Sequence, residues 1–213
     1  MRTAITLFSA AALAAIAVPT FGQYSPLPGV VDVSRVAAGT YVTDPAHTLV
    51  AWEVDHFGFN DYFGLFGNAE GTLTIDPADP SAASVDVSLP IASLAVVSEG
   101  LREHMLRPGK DGAKPDFFGA DPGMARFVST GVDVGRDGVS AMIRGNLTMN
   151  GMTRPVMIDT RFTGAGANPR SEVQTIGFEG TTTISRSAFG IDYAVPMVSD
   201  EVELTISVAF EKE

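Results

Sequence analysis

The side chains able to do chemistry in this chain are few, and their spacing limits what they can do. Among 213 residues there are three histidines, His47, His56 and His104, and no cysteine. A three-histidine zinc site needs its ligands to converge on one tetrahedral point. His47 and His56 belong to strand-like stretches and His104 to a helical one, with no spacing that forces convergence. They read as separate hydrogen-bonded side chains, and no metal is expected. Of the three, His56 continues the parity of Val50, Trp52 and Val54, and so is expected to point inward. Nucleophile elbow, cysteine nucleophile and Walker loop are all missing. Ser129-Thr130-Gly131 reads as a strand end, and Glu103 and His104 are helical neighbours that point apart. No catalytic residue is therefore nominated. What remains is basic: no Lys or Arg lies between Arg35 and Arg102, and then Arg102, Arg107, Lys110 and Lys114 fall close together. They read as an ordinary solvated loop, with a local positive field as the alternative. Arg186 follows Thr182 and Ile184 on one parity, so its charge is expected to meet a carboxylate or a ligand. Arg102, His104 and Arg186 are the nominees for holding a polar group.

The elements that position these groups show a period of two, the pattern of half-buried strands. Val50, Trp52 and Val54 alternate with Glu53 and Asp55, and Leu73 and Ile75 precede Asp76-Pro77. Val85, Val87 and Leu89 alternate with Asp86 and Ser88. Ile143 and Leu147 share a face opposite Arg144 and Asn146, as do Ile158 and Phe162 opposite Asp159 and Arg161. Ile176, Phe178, Thr182 and Ile184 continue the series, and Leu204 and Ile206 sit between Glu203 and Glu211. Asp137-Gly138, Asn150-Gly151 and Gly164-Ala165-Gly166 read as tight turns. Long two-faced strands joined as hairpins predict an all-β, antiparallel up-and-down barrel, whose closure removes exposed edges. Aromatic girdles are missing, with one Trp and four Tyr, so a soluble barrel is preferred over an outer-membrane one. One segment departs from the pattern: Leu101, His104 and Met105 fall on one helical face within Ser98–Leu106, predicting a short helix over one barrel end.

Composition bounds the surroundings. Residues 1–22 carry a short positive start, an apolar run and small residues at Thr20 and Gly22, the pattern of a secretory signal peptide. Cleavage after Gly22 is expected, with Ala17 as the alternative. Residues 23–39 read as an arm or linker and 40–213 as the barrel domain. With no cysteine, stability has to come from the core, even in an oxidising compartment. A net charge of -11 sets a field that repels polyanions, so nucleic acid is not an expected partner.

Several stretches together resemble the YceI-like family. They are Asp44-Pro45-Ala46-His47-Thr48, Trp52 to Phe59, Gly64-Leu65-Phe66-Gly67, Glu103-His104-Met105, Asp116-Phe117-Phe118, Phe127 to Thr130, Gly145 to Pro155, and Ile184 to Ile191. Their order and rough spacing hold from Tyr41 to the C-terminus. The loop from Leu106 to Pro115 is longer than the family pattern, and Asn150 stands where the family often has histidine. The resemblance implies a lipocalin-like barrel whose interior is a pore for a polyisoprenoid chain, carrying a phosphate or a quinone head group. It also implies a periplasmic or secreted location, with transient membrane contact and a homodimer as further expectations. No cofactor is expected beyond the bound lipid or quinone. On this reading the lining set is Val50, Trp52, Val54, His56, Leu73, Ile75, Phe127, Ile143, Leu147, Ile158, Phe162, Ile176, Phe178, Phe189, Leu204 and Ile206. Arg102, His104 and Arg186 become the head-group residues. The alternatives are an enzyme using His56 or His104 on a lipid or quinone in the same cavity, and a stress-related structural protein whose side chains fill the barrel.

Overall fold

The computed structural model describes residues 26–213, so the expected signal peptide and the first residues of the arm lie outside the described residues. Strands β1 (Gly39–Thr43), β2 (Leu49–His56), β3 (Asn60–Phe66), β4 (Glu70–Ile75) and β5 (Ser84–Pro90) come first. After a helix, α1 (Glu99–Leu106), follow β6 (Met124–Val134), β7 (Ser140–Met149), β8 (Met152–Ala167), β9 (Gln174–Ser185) and β10 (Glu201–Lys212). Antiparallel pairing runs from β1 through β4, β5, β6, β7, β8 and β9 to β10 and returns to β1, closing an eight-stranded barrel.

The closure is shared by two bent strands. The first half of β10 pairs with β2 (Leu204 opposite Trp52) and its end pairs with β1 (Phe210 opposite Thr43). β1 and β2 are thus two halves of one bent strand, and β3 and β4 two halves of the next. Thr43 holds the bend: its hydroxyl donates to the Ala69 carbonyl at 2.9 Å and accepts from the Gly71 N–H at 3.0 Å. β3 shows no clear alternation in the sequence because most of its residues are exposed or only half-buried.

The Asn150-Gly151 turn has positive φ at both residues (51° and 72°), which suits a two-residue hairpin between β7 and β8. Gly164-Ala165-Gly166, expected as a turn, lies inside β8 instead. β7 covers β8 only as far as Arg161, and the arm takes the edge beyond: Val30 and Ala165 exchange both backbone hydrogen bonds. A Cβ on Gly166 would sit 1.9 Å from the Pro28 carbonyl oxygen. The glycines are there for close backbone approach, not for a reversal of the chain. Ser129-Thr130-Gly131, expected as a strand end, is a bulge within β6, and the Ser129 hydroxyl there accepts the Val85 N–H.

Loops at one end of the barrel carry α1, which starts one residue later than Ser98 because the Ser98 hydroxyl caps it by accepting the Leu101 N–H. At the other end the arm crosses as a 3-10 turn, Val33–Arg35. Val36 packs there with Tyr41, Leu73, Phe162, Ala165, Ile176 and Phe210 into the main buried cluster.

Candidate ligand-binding cavity

The inward faces do not fill the barrel. They enclose a cavity of about 1110 Å³, slightly above the usual range for small-molecule sites. β2 contributes Val50, Trp52, Val54 and His56 to its wall, β4 Leu73 and Ile75, and β6 Phe127. β7 adds Ile143 and Leu147, β8 Ile158 and Phe162, β9 Phe178, and β10 Leu204 and Ile206. Alternation predicted all of these but Phe127, which belonged to the family resemblance, because the pleat sends every second side chain to the same face. Two nominees are displaced from the wall. Ile176 is wholly buried in the cluster around Tyr41, and Phe189 packs with Ile91, Met149 and Ile191. Phe189 leaves the wall because β9 ends at Ser185 and a 3-10 turn, Arg186–Phe189, breaks the parity.

Trp52 shows how the wall is built. It is 7% exposed, and a Cβ on Gly64 opposite would meet its ring at 2.3 Å, so glycine on β3 makes the bed for the indole. Tyr62 stacks beside it at 6.3 Å between ring centroids. The Trp52 N–H has no hydrogen-bond partner among the described residues.

The helix lies over this end with Leu101, His104 and Met105 toward the cavity, and Phe117 and Phe118 from the following loop complete the cover. The sequence marked Phe117 and Phe118 only as part of the family resemblance. Tyr193 and Met197, in the connection between β9 and β10, also line the cavity and carry no periodic signal. His56, Phe57, Tyr193 and Met197 lie on the wall and are partly or well exposed, so the cavity meets solvent among them. The hairpin tip and this connection are joined directly, with the Phe57 N–H donating to the Met197 carbonyl at 2.8 Å. At the opposite end Val33, Ser34 and Val36 of the arm line the cavity.

The polar groups do not leave the loop cations as a free positive field. His104 Nε2 is 2.7 Å from Asp116, which also accepts from Arg107 at 3.1 Å. Those two partners hold the Asp116 carboxyl below the usual carboxylate range. Lys114 reaches both oxygens of Asp192, at 2.7 and 2.8 Å. Arg102 is off the wall: its guanidinium donates to the Leu94 and Ala92 carbonyls and ties the helix to the chain before it. Arg186 does line the cavity, but the partners of its guanidinium are backbone carbonyls and not a carboxylate. It is 5% exposed and donates to the carbonyls of Ser199 (2.8 Å), Ile191 (3.1 Å), Tyr193 (2.9 Å) and Val198 (2.9 Å). Burial pushes its pKa below the ordinary arginine value, with Asp200 and Asp192 opposing the shift. Side-chain pairing over long sequence separation is invisible to periodicity, which is why the loop cations read as available.

His47 lies apart, paired with Asp44 at 2.5 Å on the surface. Among the described residues no group of three or more His, Asp or Glu is placed to hold a metal, and no helix is long and apolar enough to cross a membrane.

Comparison with known proteins agrees with this architecture. Residues 41–210 match the YceI-like domain. A UPF0312 protein of Pseudomonas paraeruginosa is 36% identical over 164 residues, covering 76% of this chain and 80% of that protein. One from Azotobacter vinelandii is 35% identical over 178 residues, covering 82% and 88%. Among solved structures, Burkholderia cenocepacia BcnA superposes with a TM-score of 0.64 at 21% identity, covering 78% of this chain and 98% of that one. A polyisoprenoid binding domain from Saccharophagus degradans superposes with a TM-score of 0.52 at 9% identity, covering 83% and 99%. At such identities the two structures speak for the fold, and the family match together with the curated relatives settles membership: the chain belongs to the YceI-like family.

Proposed function

We propose that this protein binds one long isoprenoid ligand inside its barrel and sequesters or carries it, in the periplasm or outside the cell. The observation that carries the reading is the cavity itself, a continuous apolar space reaching from the arm to the helix end, where dense packing would be the ordinary state of a core. A void of this size is costly unless something occupies it. Transfer of a hydrocarbon tail from water is favourable by about 0.8 kcal/mol per methylene before entropy losses, so binding needs few polar contacts. A twelve-residue strand such as β10 spans about 40 Å, or about 30 Å along a barrel axis at the usual tilt, room for an extended tail. That the neighbour from Saccharophagus degradans is described as polyisoprenoid binding supports the ligand class. Exchange with a membrane would take place at the helix end, where Phe57, Tyr193 and Met197 stand exposed around the opening.

The test is native mass spectrometry of protein purified from its own host, followed by organic extraction and titration with prenyl alcohols of increasing length. A co-purifying lipid is expected, and affinity should rise with each isoprene unit and then level off once the tube is full. Protein that carries no lipid and binds short and long tails equally would refute the reading.

A further inference from the structure

Binding a tail leaves the head group open, and the polar groups around the cavity decide its charge. Among the described residues Arg186 is the sole Lys or Arg on the wall, and four of its N–H donors are spent on backbone carbonyls. Around the opening, Arg107 is held by Asp116, Lys114 by Asp192, and Arg102 by two carbonyls. Lys110 alone has no side-chain partner among the described residues, and it stands next to Asp111. The two connections that form this end, residues 91–123 and 186–200, carry five Lys or Arg against seven Asp or Glu. A phosphate would therefore enter a mouth of its own sign and find on the wall a single cation, with four of its five N–H groups already given to backbone carbonyls.

What the mouth does offer is neutral hydrogen bonding. His104 lines the cavity with Nε2 committed to Asp116, and its other nitrogen, Nδ1, has no partner among the described residues. The Tyr193 ring lies 5.1 Å from it and the Phe117 ring 5.2 Å, both edge-on, with the Tyr193 hydroxyl likewise unpartnered among the described residues. His56, the other histidine on the wall, sits edge-on against Phe57 at 4.3 Å. Resting on the carrier reading above, we infer that the natural head group is an uncharged hydroxyl, which donates to His104 Nδ1 and accepts from the Tyr193 hydroxyl, and that a phosphorylated head group is selected against. Asp116 accepts the Nε2–H and so leaves Nδ1 as an acceptor for the ligand's O–H.

The experiment uses delipidated protein and three probes with the same polyprenyl tail: the alcohol, its monophosphate and the hydrocarbon with no head group. Trp52, the single tryptophan and part of the wall, reports occupancy by its fluorescence. The alcohol should bind at least about tenfold more tightly than the monophosphate, because like charges oppose each other across the mouth. Added NaCl should narrow that gap, since screening weakens the repulsion. Tyr193→Phe, which keeps the ring, and His104→Ala should each weaken the alcohol by about fivefold more than they weaken the hydrocarbon, the loss of one hydrogen bond. A monophosphate that binds as tightly as the alcohol, or a gap that widens with salt, overturns the inference. Equal losses for alcohol and hydrocarbon in both variants overturn the role of His104 and Tyr193. If none of the three probes binds, it is the carrier reading that falls, and the head-group assignment with it.

Discussion

Arg186 shows what a single side chain organises in this fold. The connection between β9 and β10 has no regular structure beyond a short 3-10 turn, so its carbonyls have few ladder partners. The planar guanidinium accepts that role because its N–H groups diverge in a fixed fork, and arginine keeps its proton even where burial disfavours the charge. Tyr193 and Val198, two of the residues whose carbonyls it holds, also line the cavity, so the arginine shapes the mouth through the backbone it holds. Arg186→Lys retains charge but not the fork, and leaves at least one buried carbonyl without a donor. The variant is expected to lose about 3 kcal/mol of stability in urea unfolding. Its mouth should also loosen, seen as faster hydrogen exchange over residues 191–199.

At the scale of elements, the informative piece is the arm on β8. Among the described residues its register is held by one bridge, Val30 with Ala165, and by Gln174, whose amide donates to the Arg35 carbonyl at 2.8 Å. Gly164 and Gly166 give the space for it. Gly166→Ala puts a methyl group where the Pro28 carbonyl lies, which has to move away. Since the strand β8 itself is paired on its other side with β9 through this region, the barrel should stay folded. The expected outcome is an arm that becomes susceptible to limited proteolysis between residues 28 and 36. Bound ligand should leave several-fold faster through the end the arm covers, measured as a dissociation rate; an unchanged cleavage pattern would show that the arm bends around the methyl.

The whole molecule is acidic, and its outer surface concentrates that charge. Glu53 on β2 stands directly opposite Glu203 on β10, and Asp61 of β3 is also close enough to raise its pKa. Burial by its neighbours is the largest cause, followed by Asp61 and Glu203. A carboxyl whose pKa is raised on folding binds its proton more tightly in the folded state. Its contribution is therefore a penalty that is absent below the ordinary carboxylate range, grows as pH rises through the raised value, and is complete above it. Glu53→Gln removes the penalty. Thermal unfolding followed from acid to neutral pH should show the variant more stable than the parent at neutral pH and equal to it at the acid end. Added salt should reduce the difference, as it does for exposed charges.

Alternation in the sequence was enough to determine most of the wall of the cavity. The pleat makes side-chain direction a local property, so Val50, Trp52 and Val54 could be assigned to one face with no knowledge of their partners. The same locality made the helix over the mouth legible from Leu101, His104 and Met105. It failed where parity is interrupted: Phe189 lies in a 3-10 turn, the Ser129 region is a bulge, and Gly164-Ala165-Gly166 has the composition of a turn but is strand beneath another segment. Three matters belonged to the tertiary structure alone. Whether the barrel is filled depends on the summed volumes of side chains from all its strands, and no segment carries that information. Which cations are spent depends on partners as distant as Lys114 and Asp192, 78 positions apart, whose meeting is set by barrel closure. And the character of the mouth, acidic overall with its arginines tied down, follows from those pairings and from the backbone carbonyls that only the folded chain brings to Arg186.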